Sequence, residues 1–533
     1  MKLPAELNSL LMRSSKKFHQ SIIKMKQFIF ILSIFSFLNL SCNSQSGTTP
    51  NGKTVEIKIN QELTFQTIHN FGASDAWSCQ FVGNWPEVQK NKVADLLFSL
   101  EENEDGSLRG IGLSCWRFNI GGGSADVEDK TGIDDSWRRA ESFLQPDGTY
   151  NWQKQSGQRW FLNAAQQRGV ETFIGFVNSP PVALTKNGKA FSSGGNSMNL
   201  TQENLPKYSD FLVEVTKNIQ KNEGVLFDYL SPVNEPQWDW KGGQEGSPWT
   251  NNEIAELCRI LGPDLKNAGL STQIEITEAG QLNHFYEKAN DVERGFQIEQ
   301  FFSPASENYV GDVPNMAHKI AGHSYFTTTN NKVLKEVRTR VKNEINRVDS
   351  ELEFWMSEFC ILGDNDGFVG NGRDLGMETA LFVANVIHAD LTVAGASAWH
   401  WWLAVSPYDF KDGLVYIDKS KTGGRIYDSK LLWGLGNFSR FIRPGAERIS
   451  VETNSEPELK ASAYKNKGGD LVLVVINQSA EQKAVDLHLE AGETGFLKVY
   501  ETSESNNLQP VKVKQDKGRF SVPAKSISTV LIK

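Results

Sequence analysis

Two glutamates stand where an unpaired charge is hard to place. Glu235 follows the apolar run Phe227–Val233 and lies in Ser231-Pro232-Val233-Asn234-Glu235-Pro236. Glu358 closes the apolar run Phe354-Trp355-Met356-Ser357 and precedes Phe359. A buried carboxylate without a partner is costly, so each needs a reason to be there. One reason is an ion pair. The other is chemistry, because two carboxyl groups facing one glycosidic bond can divide the work of acid and nucleophile. Pro236 cannot extend a strand ladder, so the chain leaves its strand there and holds Glu235 at a rim. Two such residues at two strand ends favour the catalytic reading over two separate ion pairs. Asn234, beside the first, has the amide needed to bond a substrate hydroxyl.

Other chemistries lack their residues. Gly121-Gly122-Gly123 is not followed by the Lys of a phosphate-binding loop. Neither a His-Glu-x-x-His pattern nor a Gly-x-Ser-x-Gly elbow occurs, and the eight His are scattered. Five Cys include no Cys-x-x-Cys pair, and Cys79, Cys115, Cys258 and Cys360 are expected to be free and buried. No metal or organic cofactor is implied. Lys and Arg number 55 against 64 Asp and Glu, a net charge of −9. That balance argues against a nucleic-acid partner, which needs a basic footprint. Hydrophobic residues at 39% and charged residues at 22% suit a globular chain.

The elements that must position the two glutamates alternate. Candidate strands at Phe71–Asp75, Ser114–Ile120, Thr172–Val177, Phe227–Val233, Gln273–Thr277, His318–Phe326, Glu353–Phe359 and Ala396–Val405 have helical stripes between most of them. One such stripe is Tyr208, Phe211, Leu212, Val215 and Ile219. Asn84, with Pro86 behind it, reads as the start of the first helix. Repeated strand–helix units predict a parallel sheet covered by helices, and about eight of them favour a closed barrel. After about Ile449 short alternating runs replace helices, the pattern of an antiparallel sandwich. The expected class is α/β: a (β/α)8 TIM barrel over 66–445 with a C-terminal antiparallel β-sandwich over 446–533. The alternating stretch 54–65 is expected to add a strand to the sandwich.

The start of the chain reads as a targeting segment. Lys24 and Lys26 precede an apolar run that ends near Cys42. It is shorter than the roughly 20 residues of a membrane span and suits a signal peptide. Ser41-Cys42 is similar to a bacterial lipoprotein cleavage site; ordinary secretory cleavage nearby is the alternative. Either way, residues 1–42 direct export, 43–53 form a polar tether, and a lipid on Cys42 is the one expected link to a membrane.

Taken together, the Asn-Glu-Pro strand end, the later Ser-Glu strand end and the barrel-plus-sandwich order resemble glycoside hydrolase family 30. The resemblance extends to Phe71-Gly72-Ala73-Ser74-Asp75-Ala76, Asn178-Ser179-Pro180-Pro181, His323-Ser324-Tyr325 and Gly434–Gly445. Within that family, Ala76–Gly83, Asn234–Trp240 and Gln244–Trp249 are most similar to endo-β-1,6-galactanases, while Val177 replaces a Trp of the glucosylceramidase branch. The resemblance implies a retaining hydrolase with Glu235 as acid/base after the fourth strand and Glu358 as nucleophile after the seventh. It further implies Asn234 on the 2-hydroxyl, Tyr325 against the nucleophile and Asp75 on a terminal-ring hydroxyl, with Asn178 also at the substrate. Arg117 is expected to pair with Glu358, and His323 to orient a carboxylate. On the last strand one of Trp399, Trp401 and Trp402 is expected to stack on a sugar, Trp399 and Trp401 being the candidates; Trp77, Trp238 and Trp240 are candidates for further subsites. The implied substrate is a β-1,6-linked galactan. Other specificities of the family (a β-1,6-glucanase, a xylanase, an exo-β-glycosidase) and a non-catalytic glycan-capture protein remain alternatives.

Overall fold

Strands buried on both faces make the centre of the molecule. All five residues of Cys115–Asn119 are buried, Arg117 included, as a parallel strand covered by helices requires. The structure, a computed structural model, describes residues 54–532 apart from 455–456, 491–494, 496 and 513–517. The export segment, Cys42 and the tether lie outside the described residues.

Eight parallel strands close into a barrel. In chain order they are Asn70–Ser74, Cys115–Asn119, Thr172–Phe176, Tyr229–Ser231, Gln273–Ala279, Met316–His323, Glu353–Glu358 and Ala398–Ser406. The eighth strand pairs with the first at Ala398–Asn70 and with the seventh at Ala398–Trp355, which shuts the ring. Side chains fill the interior, as in other barrels of this kind. Cys115, Ile174, Trp355 and Ala398 pack there. Lys319 forms an ion pair with Glu275 at 2.5 Å and lies 2.9 Å over the Trp355 ring. Gly72 is required in that interior, because a Cβ would come within 2.9 Å of Cys115 and His400.

Helices connect the strands and cover them. Asn251–Asn267 starts with a capping box between Thr250 and Glu253 and buries Ile254, Leu257, Leu261 and Leu265. The first long helix runs Glu87–Phe98, after Pro86, and so starts later than the Asn84 signal. Proline pre-sets the backbone at a helix entry. The Asn84 side chain instead bonds Gln80 O and Ser156 Oγ.

A nine-stranded sheet folds over its own core of Ile57, Leu473, Val475, Leu487, Val530 and neighbours. Val55–Ile68 belongs to this sheet and runs three residues past the expected 65 before the first barrel strand begins at Asn70. It lies antiparallel to Ala446–Thr453 on one side. On the other it runs parallel to Lys483–Leu489, so this part departs from a purely antiparallel arrangement. Ala446–Thr453 and Arg519–Val522 are strands the alternation did not single out. The helix Lys430–Ser439 meets the sheet: Asn437 Nδ2 donates to Thr529 Oγ1 at 2.9 Å, and a Cβ on Gly434 would lie 3.0 Å from Ile527.

Candidate active site

Each glutamate sits where its strand ends. The fourth barrel strand stops at Ser231, and Glu235 follows in a left-handed backbone with φ of +43°. Glu278, at the end of the fifth strand, is also left-handed at +52°. Such a backbone in a residue other than glycine costs about 1–3 kcal/mol and persists where the surroundings hold it. Here Glu235 N–H donates to the Glu278 carbonyl at 2.8 Å. The pairing register slips between Thr277 and Ala279, and again between Gly322 and His323. Bulges of this sort re-aim side chains near active sites.

The result is one connected buried cluster. Glu358 Oε2 accepts from Arg117 Nη1 at 3.0 Å, and Oε1 accepts from the Tyr325 hydroxyl at 2.9 Å. His323 Nδ1 lies 2.9 Å from Glu235 Oε1 and 3.5 Å from Glu358 Oε1. His323 Nε2 lies 2.9 Å from Glu278 Oε2, and Ser357 Oγ donates to that same oxygen. Arg117 Nη2 stands 3.4 Å from Glu278 Oε1. A carboxylate oxygen of Glu235 and one of Glu358 lie within 4.8 Å of each other, with a His323 nitrogen in the same triangle. These donors are spent on one another: both imidazole nitrogens face carboxylates and Arg117 already balances Glu358, so a metal ion finds no free imidazole.

Burial pushes the Glu235 carboxyl up, His323 opposes this, and the charges of Glu358 and Glu278 reinforce it. Glu278 is equally buried, yet Arg117 first, and then His323 and Ser357, hold it well below the usual carboxylate range. Burial also works against the His323 charge, but Glu358, Glu235 and Glu278 outweigh it and push the ring to about 10. Two of these carboxyl groups thus differ because their partners differ, not because their depth does.

Above the cluster opens a cleft of about 570 Å³. Glu235, Glu358, Asn234 and Tyr325 reach it, with Trp77, Trp238, Trp240 and Trp402 on its walls. Trp77 and Trp402 meet edge to face at 5.4 Å, and Trp240 Nε1 donates to the Glu235 carbonyl at 3.0 Å. Gly280 leaves room for this wall, since a Cβ there would lie 2.6 Å from Trp238 Nε1. Aromatic faces beside paired carboxyl groups suit a sugar ring, whose C–H faces are apolar and whose hydroxyls are not.

Comparison with known proteins agrees with this geometry. Residues 54–416 match O-glycosyl hydrolase family 30, and residues 445–530 match the glycosyl hydrolase family 30 beta sandwich domain. The chain belongs to glycosyl hydrolase family 30. Among family relatives, an endo-beta-1,6-galactanase of Hypocrea rufa is 22% identical over 80% of this chain and 82% of its own. The glucuronoxylanase XynC of Bacillus subtilis strain 168 is 30% identical over 58% of this chain and 63% of its own. A conserved exported protein from Bacteroides fragilis has a similar crystal structure, with a TM-score of 0.83 and 33% identity over 89% of this chain and 99% of that one.

The structure brings some expected residues of this family 30 chain to the cleft and not others. Arg117 and His323 lie beneath it, wholly buried, and touch the carboxylates. Asp75 is not on the cleft wall. It is buried, accepts from Asn119 N–H at 2.8 Å and Gln158 Nε2 at 3.1 Å, and burial pushes it up to about 7. Asn178 is likewise buried away from the lining, with both amide atoms unpartnered. Trp399 and Trp401 do not reach the cleft either. Their Nε1 atoms donate to Asp390, at the start of a helical turn, and to the Asp412 carbonyl in the loop after the eighth strand. Strand alternation turns Ala398 and His400 inward, and Trp402 with them, so Trp402 is the tryptophan of this strand at the cleft. The four Cys among the described residues are free and buried, and Cys360 also borders the cleft.

Several lining residues were not anticipated, among them Arg138, Gln244, Phe326, Tyr408 and Asp409. They come from loops and, for Arg138, from the single 3-10 turn Ser136–Arg138, whose positions no periodicity encodes. Glu278 was missed although a signal existed: Glu275 and Glu278 are two charges within one barrel strand, Gln273–Ala279.

Proposed function

We propose that this family 30 hydrolase is a retaining endo-β-1,6-galactanase acting by double displacement, with Glu358 as nucleophile and Glu235 as acid/base. The observation that carries the mechanism is the pair of carboxylate oxygens within 4.8 Å, at the ends of the fourth and seventh barrel strands. Retaining enzymes keep their carboxyl groups about 5–5.5 Å apart, and inverting ones about 6.5–9.5 Å to admit a water. The short separation here supports retention.

In the first step a Glu358 oxygen attacks the anomeric carbon. The bond to the leaving oxygen breaks, and that oxygen takes the proton of Glu235. A glycosyl ester on Glu358 and an ionised Glu235 result. In the second step Glu235 takes a proton from water, the hydroxide oxygen bonds the anomeric carbon, and the ester bond breaks to restore Glu358. Arg117 and Tyr325 each donate to one of the nucleophile's two oxygens, which keeps it aimed. Burial and the adjacent Glu358 charge keep Glu235 protonated for the first step. In this reading Asn234 bonds the 2-hydroxyl and the cleft-lining Trp77, Trp238, Trp240 and Trp402 take sugar faces; that all five border the cleft supports it.

The galactan specificity draws on the Hypocrea rufa relative and on the segments Ala76–Gly83 and Asn234–Trp240. The same reading places the protein outside the cytoplasm, exported by residues 1–42 and held by a lipid on Cys42; the similarity to an exported Bacteroides fragilis protein supports the export. Mass spectrometry of products from β-1,6-galactan, β-1,6-glucan and arabinoxylan, with Glu358→Gln as control, tests the specificity. Short galactose oligomers from the first polymer alone are expected. Glucose or xylose oligomers instead would move the specificity and keep the mechanism. Absence of product from all three polymers would sink the galactanase reading and turn the search to other glycosides or to glycan capture without cleavage.

A further inference from the structure

Glu278 is a buried carboxylate that no step of the double displacement uses. We propose that Glu278 is a positioning residue: it keeps both ring nitrogens of His323 protonated, so that Nδ1 donates to Glu235 and cannot take the proton that Glu235 must deliver to the leaving group. The inference rests on the acid/base reading of Glu235.

The argument is one of donors and acceptors. Glu278 Oε2 receives Ser357 Oγ and His323 Nε2, and Oε1 faces Arg117 Nη2 at 3.4 Å. The Arg117 cation and the Ser357 hydroxyl hold Glu278 as an ionised carboxylate, which can only accept, so Nε2 carries the hydrogen between the two. On the other side Nδ1 faces an oxygen of Glu235 at 2.9 Å and one of Glu358 at 3.5 Å. A bare lone pair there would point at the Glu358 oxygen that faces it at 3.5 Å. A second N–H points at it instead, and the ring is an imidazolium, in line with its upward shift to about 10.

This sets the place of the Glu235 proton. A neutral His323 with a bare Nδ1 would draw that proton into the Glu235–His323 bond, away from the cleft. The imidazolium occupies Oε1 as a donor and leaves Oε2 to carry the acidic hydrogen. After the glycosyl ester forms, the same N–H stabilises the ionised Glu235 as base. The backbone supports the pairing, because Glu235 N–H donates to the Glu278 carbonyl at 2.8 Å. Other charged groups around the ring are accounted for. Arg117 on the second strand pairs with Glu278 and Glu358. Tyr325, two residues along, gives its hydroxyl to Glu358. Glu275 and Lys319 pair with each other deeper in the barrel, and burial holds His400 of the eighth strand neutral.

The test has two readouts. In the full chain with 15N-labelled histidine, the His323 side-chain signals, assigned by their loss in His323→Asn, are followed by NMR from pH 5 to 8. The wild-type ring is expected to stay doubly protonated throughout. In Glu278→Gln it is expected to lose a proton within that range, while Glu278→Asp retains it. Second, kcat/KM is compared on a β-1,6-galacto-oligosaccharide and on the dinitrophenyl glycoside of the same disaccharide, which needs no acid to leave. Glu278→Gln is expected to lose tenfold or more on the first and under threefold on the second. A ring that is neutral in the wild type at pH 7, an unchanged titration in Glu278→Gln, or equal losses on both substrates would overturn the proposal. If the Gln variant does not fold, the wild-type titration still decides. A chain that hydrolyses nothing would fail the hydrolase reading while leaving the ring titration readable.

Discussion

Glu235 and Glu358 are chemically the same side chain, and in the proposed mechanism their neighbours divide the roles. Glu358 has an arginine and a phenol on its two oxygens. Glu235 has burial and the Glu358 charge against its ionisation, and a His323 nitrogen in favour of it. The sign of the coupling is testable. A nearby negative charge disfavours ionisation, so removing it must lower the Glu235 titration. Glu358→Gln is expected to move Glu235 to lower pH, read from the carboxyl 13C signal across a pH titration; no movement, or an upward one, would refute the assignment. Both glutamates were legible in the sequence, since a charge at the end of an apolar strand stands out. The tryptophans were not legible in the same way. Trp399 and Trp401 share one strand face and Trp402 the other, and which face looks inward depends on how the ring closes. Arg138, in a single 3-10 turn, and the loop residue Tyr408 left no periodic trace at all.

At the scale of elements, the loop that carries Tyr325 is held from behind. Arg338, on the helix Asn331–Val348, donates from Nε to Asp390 at 2.8 Å and from Nη1 to the Thr327 carbonyl at 2.6 Å. Asp390 opens the π-helical turn Asp390–Ala394 and also accepts from Trp399 Nε1 at 2.9 Å. Arg338 and Asp390 are both wholly buried. Removing one partner of such a pair costs about 3–5 kcal/mol, because the other charge is stranded. Arg338→Ala is therefore expected to lose that much in urea denaturation, whereas a loss under about 1 kcal/mol would mean that water reaches the pair. The sequence held a clue to this strut. Arg338 interrupts the helix's apolar stripe of Leu334, Val341 and Ile345. Its partner was not readable, since Asp390 is 52 positions away and its approach depends on how the two segments pack.

For the whole molecule, the strand before the barrel and the strands after it form one sheet, so the barrel is an insertion between Val55–Ile68 and Ala446–Thr453. The helix Lys430–Ser439 then locks the barrel to that sheet through Asn437 and Thr529. The proposed anchor works at this scale as well, since a lipid on Cys42 would tether the assembly through residues 43–53. A single acyl chain binds membranes weakly, and stable anchoring takes more than one. Cys42→Ala is expected to shift the protein from the membrane fraction to the soluble fraction of its cells; an unchanged distribution would rule out lipid attachment at that site. The sequence by itself determined the alternation of strands and helices, the change to short strands after the barrel, and the two glutamates at strand ends. These are local signals, written in periodicity and in the cost of burying a charge. The tertiary structure alone decided which charges share a hydrogen, which tryptophan meets the cleft, and that Glu278 stands behind His323. Those depend on strand closure and on bulges that bring residues 45 and 88 positions from His323 within 2.9 Å of its ring, distances that no spacing along a chain specifies.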